Sequence, residues 1–248
     1  MTEPITSRKN PLIQRVRRLL SSRKARMEEG VFVADGIKLL QEAVKWWPGL
    51  ETVLHTPEVQ PEVPEYVETV CISRDLMEYI SPMETPQGAL FLCRLPEKDT
   101  LQVKPGMLLL DGIQDPGNLG TILRTADAMG VPVVLLEGCA DPYSHKVVRS
   151  SMGAVFRSRP AQSTWAAVAM ACGEAGIPVA VTALSPEAKD IREAELSQMA
   201  VVIGSEGQGV RQEVLESARQ KLIIPMNPKC ESLNAAVAAS IVLWEMKR

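Results

Sequence analysis

The stretch Val201-Val202-Ile203-Gly204-Ser205-Glu206-Gly207-Gln208-Gly209-Val210 takes an apolar run straight into a turn with three glycines in six residues. An apolar run of this length reads as a buried strand, and the glycines after it let a ligand approach the backbone or let the chain turn sharply. Their spacing is Gly-x-x-Gly-x-Gly. It is neither the phosphate-binding loop that ends in Gly-Lys-Ser/Thr nor the dinucleotide fingerprint. Glu206 reads as buried inside the turn, and an acid there needs a partner.

Outward from this turn the same unit repeats. Apolar runs at Met107–Leu110, Val133–Leu136, Val179–Ala183 and Leu222–Ile224 accompany Ala200–Ile203, and helical patterns cover Leu119–Met129, Trp165–Ala175, Val210–Ala218 and Ala235–Met246. Short apolar strands alternating with helices predict an α/β fold with a largely parallel sheet covered on both faces. Ligands in such sheets sit beyond the carboxyl ends of the strands. Two further strand-end loops are therefore of interest. In Asp111–Gly130, Leu119, Ile122, Leu123, Ala126 and Met129 make one helix face, Asn118 is placed to cap the helix, and Arg124 lies outside the face. In Ile224–Asn234, Ser232 or Asn234 can cap the last helix, whose Leu233, Val237, Ile241 and Trp244 read as a buried stripe.

Before residue 95 the pattern is mixed. A basic amphipathic helix is expected over Pro11–Arg26, a strand at Val31–Val33, a helix at Ile37–Trp47, strands at Thr52–Leu54, Val67–Ile72 and Gly88–Arg94, and a helical turn at Arg74–Tyr79. The polar segment up to Gly106 begins near Pro96 and reads as a linker. The expected division is a small α/β domain over residues 1–95, a linker over 96–106 and a second domain over 107–248.

Composition narrows the function. A chain of 248 residues with 46% hydrophobic and 23% charged content is neither disordered nor fibrous. Its longest apolar stretch, Ala235–Leu243, is too short to cross a bilayer, and no charged-then-apolar leader opens it. Five scattered cysteines (Cys71, Cys93, Cys139, Cys172, Cys230) and two histidines, His55 and His145, show no metal-ligand spacing. No metal, no disulfide scaffold, no membrane and a reducing cytoplasm are the expectations. The net charge of −3 hides an asymmetry: residues 1–27 carry Arg8, Lys9, Arg15, Arg17, Arg18, Arg23, Lys24 and Arg26 against the single acid Glu3. Concentrated positive charge attracts polyanions by counterion release, so this arm is a candidate for binding nucleic acid, although some of its cations must simply face water. Arg149, Ser150 and Ser151 are further candidate contacts. His145 reads as a solvated loop histidine rather than a base.

Taken together, three motifs resemble one family. Asn118-x-Gly120-x-x-x-Arg124, then Ile203-Gly204-Ser205-Glu206-Gly207-x-Gly209, then Ile224-Pro225-Met226 with Glu231-Ser232-Leu233-Asn234-Ala235-Ala236-Val237-Ala238-Ala239 resemble, in order and spacing, the SpoU or TrmH RNA ribose 2′-O-methyltransferases of the SPOUT superfamily. The segments Ile5–Pro11 and Phe32-Val33-Ala34-Asp35-Gly36 resemble the ribosomal-protein-like substrate-binding domain often fused to them. Asp35 stands where relatives commonly carry Glu, and Asn227-Pro228-Lys229-Cys230 replaces a more usual glycine-containing turn.

The resemblance implies a deep carboxyl-terminal trefoil knot, S-adenosylmethionine as cofactor and a homodimer. It implies cofactor contacts at Ile203, Gly204, Ile224, Met226, Ser232 and Leu233, and a catalytic set of Arg124, Asn118, Glu206, Ser232 and Asn234. An arginine is an awkward general base because its pKa lies above roughly 12. The expected role of Arg124 is to bind the target phosphate and stabilise developing alkoxide charge. The implied activity is 2′-O-methylation of a ribose in RNA. Ribosomal RNA, 23S above all, is favoured over transfer RNA, and a non-catalytic RNA-binding protein of the same fold is the alternative.

Overall fold

A computed structural model describes residues 3–97, 101–227 and 229–248. Part of the expected linker, residues 98–100, and Pro228 of the unusual turn lie outside the described residues. Along the chain run α1 (Pro11–Ser21), α2 (Arg23–Glu29), β1 (Val31–Asp35), α3 (Ile37–Trp46), β2 (Leu50–His55), β3 (Glu68–Cys71), α4 (Arg74–Ile80) and β4 (Ala89–Arg94). After them come β5 (Met107–Asp111), α5 (Pro116–Ala128), β6 (Val133–Leu135), α6 (His145–Ser150), α7 (Ala154–Arg157), β7 (Ala161–Gln162) and α8 (Trp165–Glu174). The remainder is β8 (Val179–Thr182), β9 (Lys189–Asp190), β10 (Ala200–Gly204), α9 (Gln212–Ser217), β11 (Gln220–Ile223) and α10 (Ala235–Glu245).

The chain divides into two units, Met1–Lys98 with Tyr143–Arg157, and Asp99–Pro142 with Ser158–Arg248. The first is built on a four-stranded sheet of order β1-β4-β2-β3, with β4 antiparallel to both neighbours and β3 parallel to β2. Ile13, Val16 and Leu19 of α1 are buried against it. The basic helix expected over Pro11–Arg26 is broken at Ser22. That residue is extended, and its hydroxyl caps α2 by accepting from the Ala25 amide at 3.2 Å. A serine cap satisfies an orphan amide that a continuous helix would not expose, so the break is a stable local solution.

Tyr143–Arg157 corrects the sequence-based division, which placed it in the second domain. Tyr143, Val147, Val148, Val155 and Phe156 are buried in the first unit, where α6 packs on β1 and α7 on α3. Phe156 lies 6.2 Å from Phe32, 5.7 Å from Trp47 and 6.2 Å from Phe91, centroid to centroid. Such ring pairs contribute about 0.5–1.5 kcal/mol each beyond their buried area, enough to fix where the segment docks. An Arg157–Glu42 ion pair closes its end.

The second unit carries a seven-stranded sheet of order β7-β6-β5-β10-β8-β11-β9 in which every recorded pairing is parallel. Its central strands read as unbroken apolar runs because both faces are covered. Gly204 pairs with Asp111 in register, so the loops after β5 and β10 leave side by side. Helix α10 packs on α5 and β10. It buries Ala235, Ala236, Ala239, Val242 and Leu243, whereas Val237 and Trp244 of the expected buried stripe are 49% and 64% exposed. This helix is apolar on every face, so periodicity alone cannot select the face that packs. Among the described residues no helix is long and apolar enough to cross a membrane.

Candidate active site

The loop after β5 is set by Asp115, not by Asn118 as the sequence suggests. The Asp115 carboxylate caps α5 by accepting from the Asn118 amide at 2.7 Å, and Pro116 fills the first helical position, where no amide is needed. Asn118 therefore sits inside the first turn with its side chain released for other work.

The loop after β10 folds tightly on itself. Ser205 and Gly209 exchange backbone hydrogen bonds at 3.1 and 3.0 Å, and Gly209 has a left-handed φ of 68°. A Cβ on Gly204 would stand 2.1 Å from the Gly209 carbonyl carbon, so no other residue fits there. Next to the loop, Arg211 holds it down. Its amide and Nε donate to the fully buried Asp111 carboxylate at 2.8 and 2.6 Å, and Nη2 donates to Glu137 at 2.7 Å. Burial pushes the Glu137 carboxyl up, but its backbone hydrogen bonds and the Arg211 guanidinium bring it net below its ordinary value. Sequence reading misses Arg211. The signal for it is the lone acid Asp111 ending an otherwise apolar strand.

Glu206 is exposed rather than buried, and its partners come from the other two loops. Asn118 Nδ2 donates to Glu206 Oε1. Asn234 Nδ2 lies 3.1 Å from Asn118 Oδ1 and 3.4 Å from Glu206 Oε1. The same Asn234 caps α10, its Oδ1 accepting from Ala236 and Val237 amides at 3.0 and 3.2 Å. Three polar side chains from three separate loops thus meet at one point.

A cavity of about 530 Å³ opens beside this cluster. All six residues expected to contact a cofactor line it: Ile203, Gly204, Ile224, Met226, Ser232 and Leu233. Glu206 and Glu231 contribute carboxylates, and among the described residues no lysine or arginine contributes to the wall. The volume is within the roughly 300–1,000 Å³ common to small-molecule sites. Apolar walls suit an adenine face, glycine backbone suits close approach, and two wall carboxylates suit a ligand bearing sulfonium and ammonium charges. A phosphate-bearing nucleotide would be repelled. A second cavity of about 230 Å³, lined by Ile113, Gln114, Ser205, Glu206, Gly207 and Gln208, adjoins the same glutamate.

Arg124 is not drawn into the cluster. It is exposed on α5 and has no hydrogen-bond or ion-pair partner among the described residues. Ser232 is exposed on the cavity wall.

In the first unit the basic arm is less uniform than its composition suggests. Arg15 and Arg18 pair with Glu29, and Lys24 pairs with Glu28 at 3.7 Å. Arg26 is buried and donates to the Leu19 carbonyl at 2.6 Å. Lys9 and Arg23 are exposed, and Arg8 and Arg17 stack on Tyr79. Arg149, exposed on α6, belongs to this unit and lies close enough to Asp35 to oppose the rise that burial imposes on that carboxyl. Ser151 is fully buried and bonded to the Val148 carbonyl at 2.8 Å, which removes it from the candidate contacts. His145 is not a solvated loop residue either. It opens α6 with a buried Nδ1 that has no partner among the described residues.

Residues 105–244 match the SpoU rRNA Methylase family. The chain belongs to that family of RNA methyltransferases. Residues 10–90 match the MRM3-like substrate binding domain. A 23S rRNA (guanosine(2553)-2′-O)-methyltransferase, RlmP of Bacillus subtilis, is 32% identical over 98% of each chain. The AdoMet-bound rRNA methyltransferase of Sinorhizobium meliloti superposes with a TM-score of 0.88 at 29% identity, covering 99% of this chain and 97% of that one. The SpoU methyltransferase AviRb of Streptomyces viridochromogenes, solved with AdoMet, gives a TM-score of 0.85 at 25% identity over 97% of this chain and 98% of its own. S-adenosylmethionine is the expected cofactor of this SpoU enzyme, in keeping with the cavity's chemistry.

Proposed function

We propose that the chain methylates a ribose 2′-hydroxyl in RNA, with 23S ribosomal RNA as substrate. The observation that carries this reading is the position of Glu206, which borders both cavities and accepts hydrogen bonds from Asn118 and Asn234. The full-length likeness to a 23S 2′-O-methyltransferase supports the substrate.

When bound, S-adenosylmethionine supplies an electrophilic methyl carbon on a good leaving group. The chain's own residues do the rest by positioning. Ile203, Ile224, Met226 and Leu233 form the apolar wall, Gly204 lets the backbone come close, and Ser232 offers a hydroxyl. Glu206 fixes the amides of Asn118 and Asn234, and the acceptor ribose enters along the smaller cavity. Arg124 binds the target phosphate and stabilises negative charge growing on the 2′-oxygen. An exposed guanidinium without a protein partner among the described residues is available for that.

The same reading includes a homodimer, a carboxyl-terminal trefoil knot and action in the cytoplasm. Support for the dimer is the apolar face that α10 leaves uncovered at Val237 and Trp244. For the knot it is the strand order, with β10 inserted between β5 and β8 and β11 beyond them. Labelled S-adenosylmethionine offered with purified 23S, 16S and transfer RNA tests the substrate. Label is expected in 23S RNA. Label confined to transfer RNA would replace the substrate, and label in none would overturn the reading in favour of a binding protein.

A further inference from the structure

We propose that Arg8, Arg17 and Tyr79 form a clamp for RNA phosphodiesters, distinct from the rest of the basic arm; this rests on the reading of the chain as an RNA enzyme. The guanidinium carbons of Arg8 and Arg17 lie 4.3 and 4.4 Å from the centroid of the Tyr79 ring, and Arg17 also donates to the Tyr79 hydroxyl. Two cations held on one ring repel each other. Stacking at an exposed site holds them there at a modest gain of the same order.

What distinguishes the pair from Arg15, Arg18 and Lys24 is the absence of a counter-charge, and from the exposed Lys9 and Arg23 it is the shared stack on Tyr79. Arg15 and Arg18 of the same arm share the Glu29 carboxylate, and Lys24 pairs with Glu28. Neither Arg8 nor Arg17 has a carboxylate partner among the described residues, and the acids of α4, Asp75 and Glu78, are exposed without pairing to them. Arg8 precedes α1, Arg17 lies within it and Tyr79 is in the last turn of α4, so the fold itself assembles the three. Two planar donor forks, oriented before binding and lacking an anion, match the bidentate chemistry of phosphate oxygens. Phosphates of one RNA strand supply the anions, and nothing in the clamp reads a base.

The test is the salt dependence of RNA binding by the full chain, with a 23S RNA fragment as probe. Removing one arginine–phosphate pairing reduces the slope of log K against log salt by about 0.7 to 0.9. Arg8→Ala/Arg17→Ala is expected to reduce it by about 1.5 and to weaken binding at least tenfold at moderate salt. Arg15→Ala/Arg18→Ala should change it by less than half as much. Tyr79→Leu should mimic the Arg8/Arg17 variant, and Tyr79→Phe, which keeps both stacks, should stay close to wild type. Equal slopes for wild type and the Arg8/Arg17 variant, or an equal reduction from Arg15/Arg18, overturn the clamp and leave the enzyme reading standing. A wild-type chain that binds no RNA overturns both.

Discussion

Asn234 Nδ2 stands 3.1 Å from Asn118 Oδ1, joining loops that are 116 residues apart in the chain. Each partner is also held by its own helix: Asn234 caps α10 and Asn118 lies in the first turn of α5. The contact therefore ties a hydrogen-bond geometry to two helix starts that pack on one another.

Substitution at Asn234 can separate capping from chemistry. Asn234→Asp keeps the acceptor for the Ala236 and Val237 amides but cannot donate to Asn118, and it sets a second carboxylate beside Glu206. We expect melting within about 0.5 kcal/mol of wild type and methyl transfer reduced at least tenfold. Asn234→Ala loses both functions and should cost about 1 kcal/mol in stability as well. Thermal melts beside single-turnover rates check both outcomes.

At the glycine loop, position matters more than composition. Gly204→Ala drives a Cβ into the Gly209 carbonyl, whereas a Cβ on Gly207 meets nothing within 4 Å. Calorimetric titration with S-adenosylmethionine should show binding abolished by Gly204→Ala and changed less than threefold by Gly207→Ala.

Arg211 anchors that loop to the end of β5. Removing it strands the buried Asp111 carboxylate, and Arg211→Ala should destabilise the fold by about 2–4 kcal/mol, allowing for the partial exposure of the guanidinium. In a denaturant-based double-mutant cycle with Asp111→Ala, a coupling above about 1 kcal/mol is expected.

His145 supplies a pH dependence. Burial, followed by the nearby charges of Lys146, Arg26 and Arg149, holds its pKa below the ordinary 6.5. The unfolded chain then takes up the proton before the folded one does. Stability from this group is fully present above about pH 6.5, falls as pH drops below that value and levels off beneath the folded pKa. Replacing it by Gln should flatten the melting temperature between pH 7 and pH 5.5; an unchanged slope would locate the dependence elsewhere.

The loops at the site are legible in the sequence because strand, glycine turn and helix cap each leave a local signature. Long-range choices are not. Asp115 and Asn118 are both good cap acceptors, and the local signal that selects Asp115 is the proline after it, which suits the first helical position. Val237 and Trp244 read as buried because α10 is apolar all round. The docking of Tyr143–Arg157 depends on an aromatic cluster that joins Phe156 to Phe32 and Trp47, far away in the chain, and the pairing of Glu28 and Glu29 with the arm's cations depends on the break at Ser22. Arg124 stands out within its motif, yet its lack of partners among the described residues is visible only in three dimensions.

The most direct measurement of the central claim is nucleoside analysis of RNA methylated by this chain. After incubation with S-adenosylmethionine carrying a labelled methyl group, the RNA is digested to nucleosides and resolved by mass. The account predicts label on the ribose of a 2′-O-methylated nucleoside, abolished when Glu206 is replaced by Gln while the fold persists. Label on a base, or ribose methylation undiminished by that replacement, would contradict it.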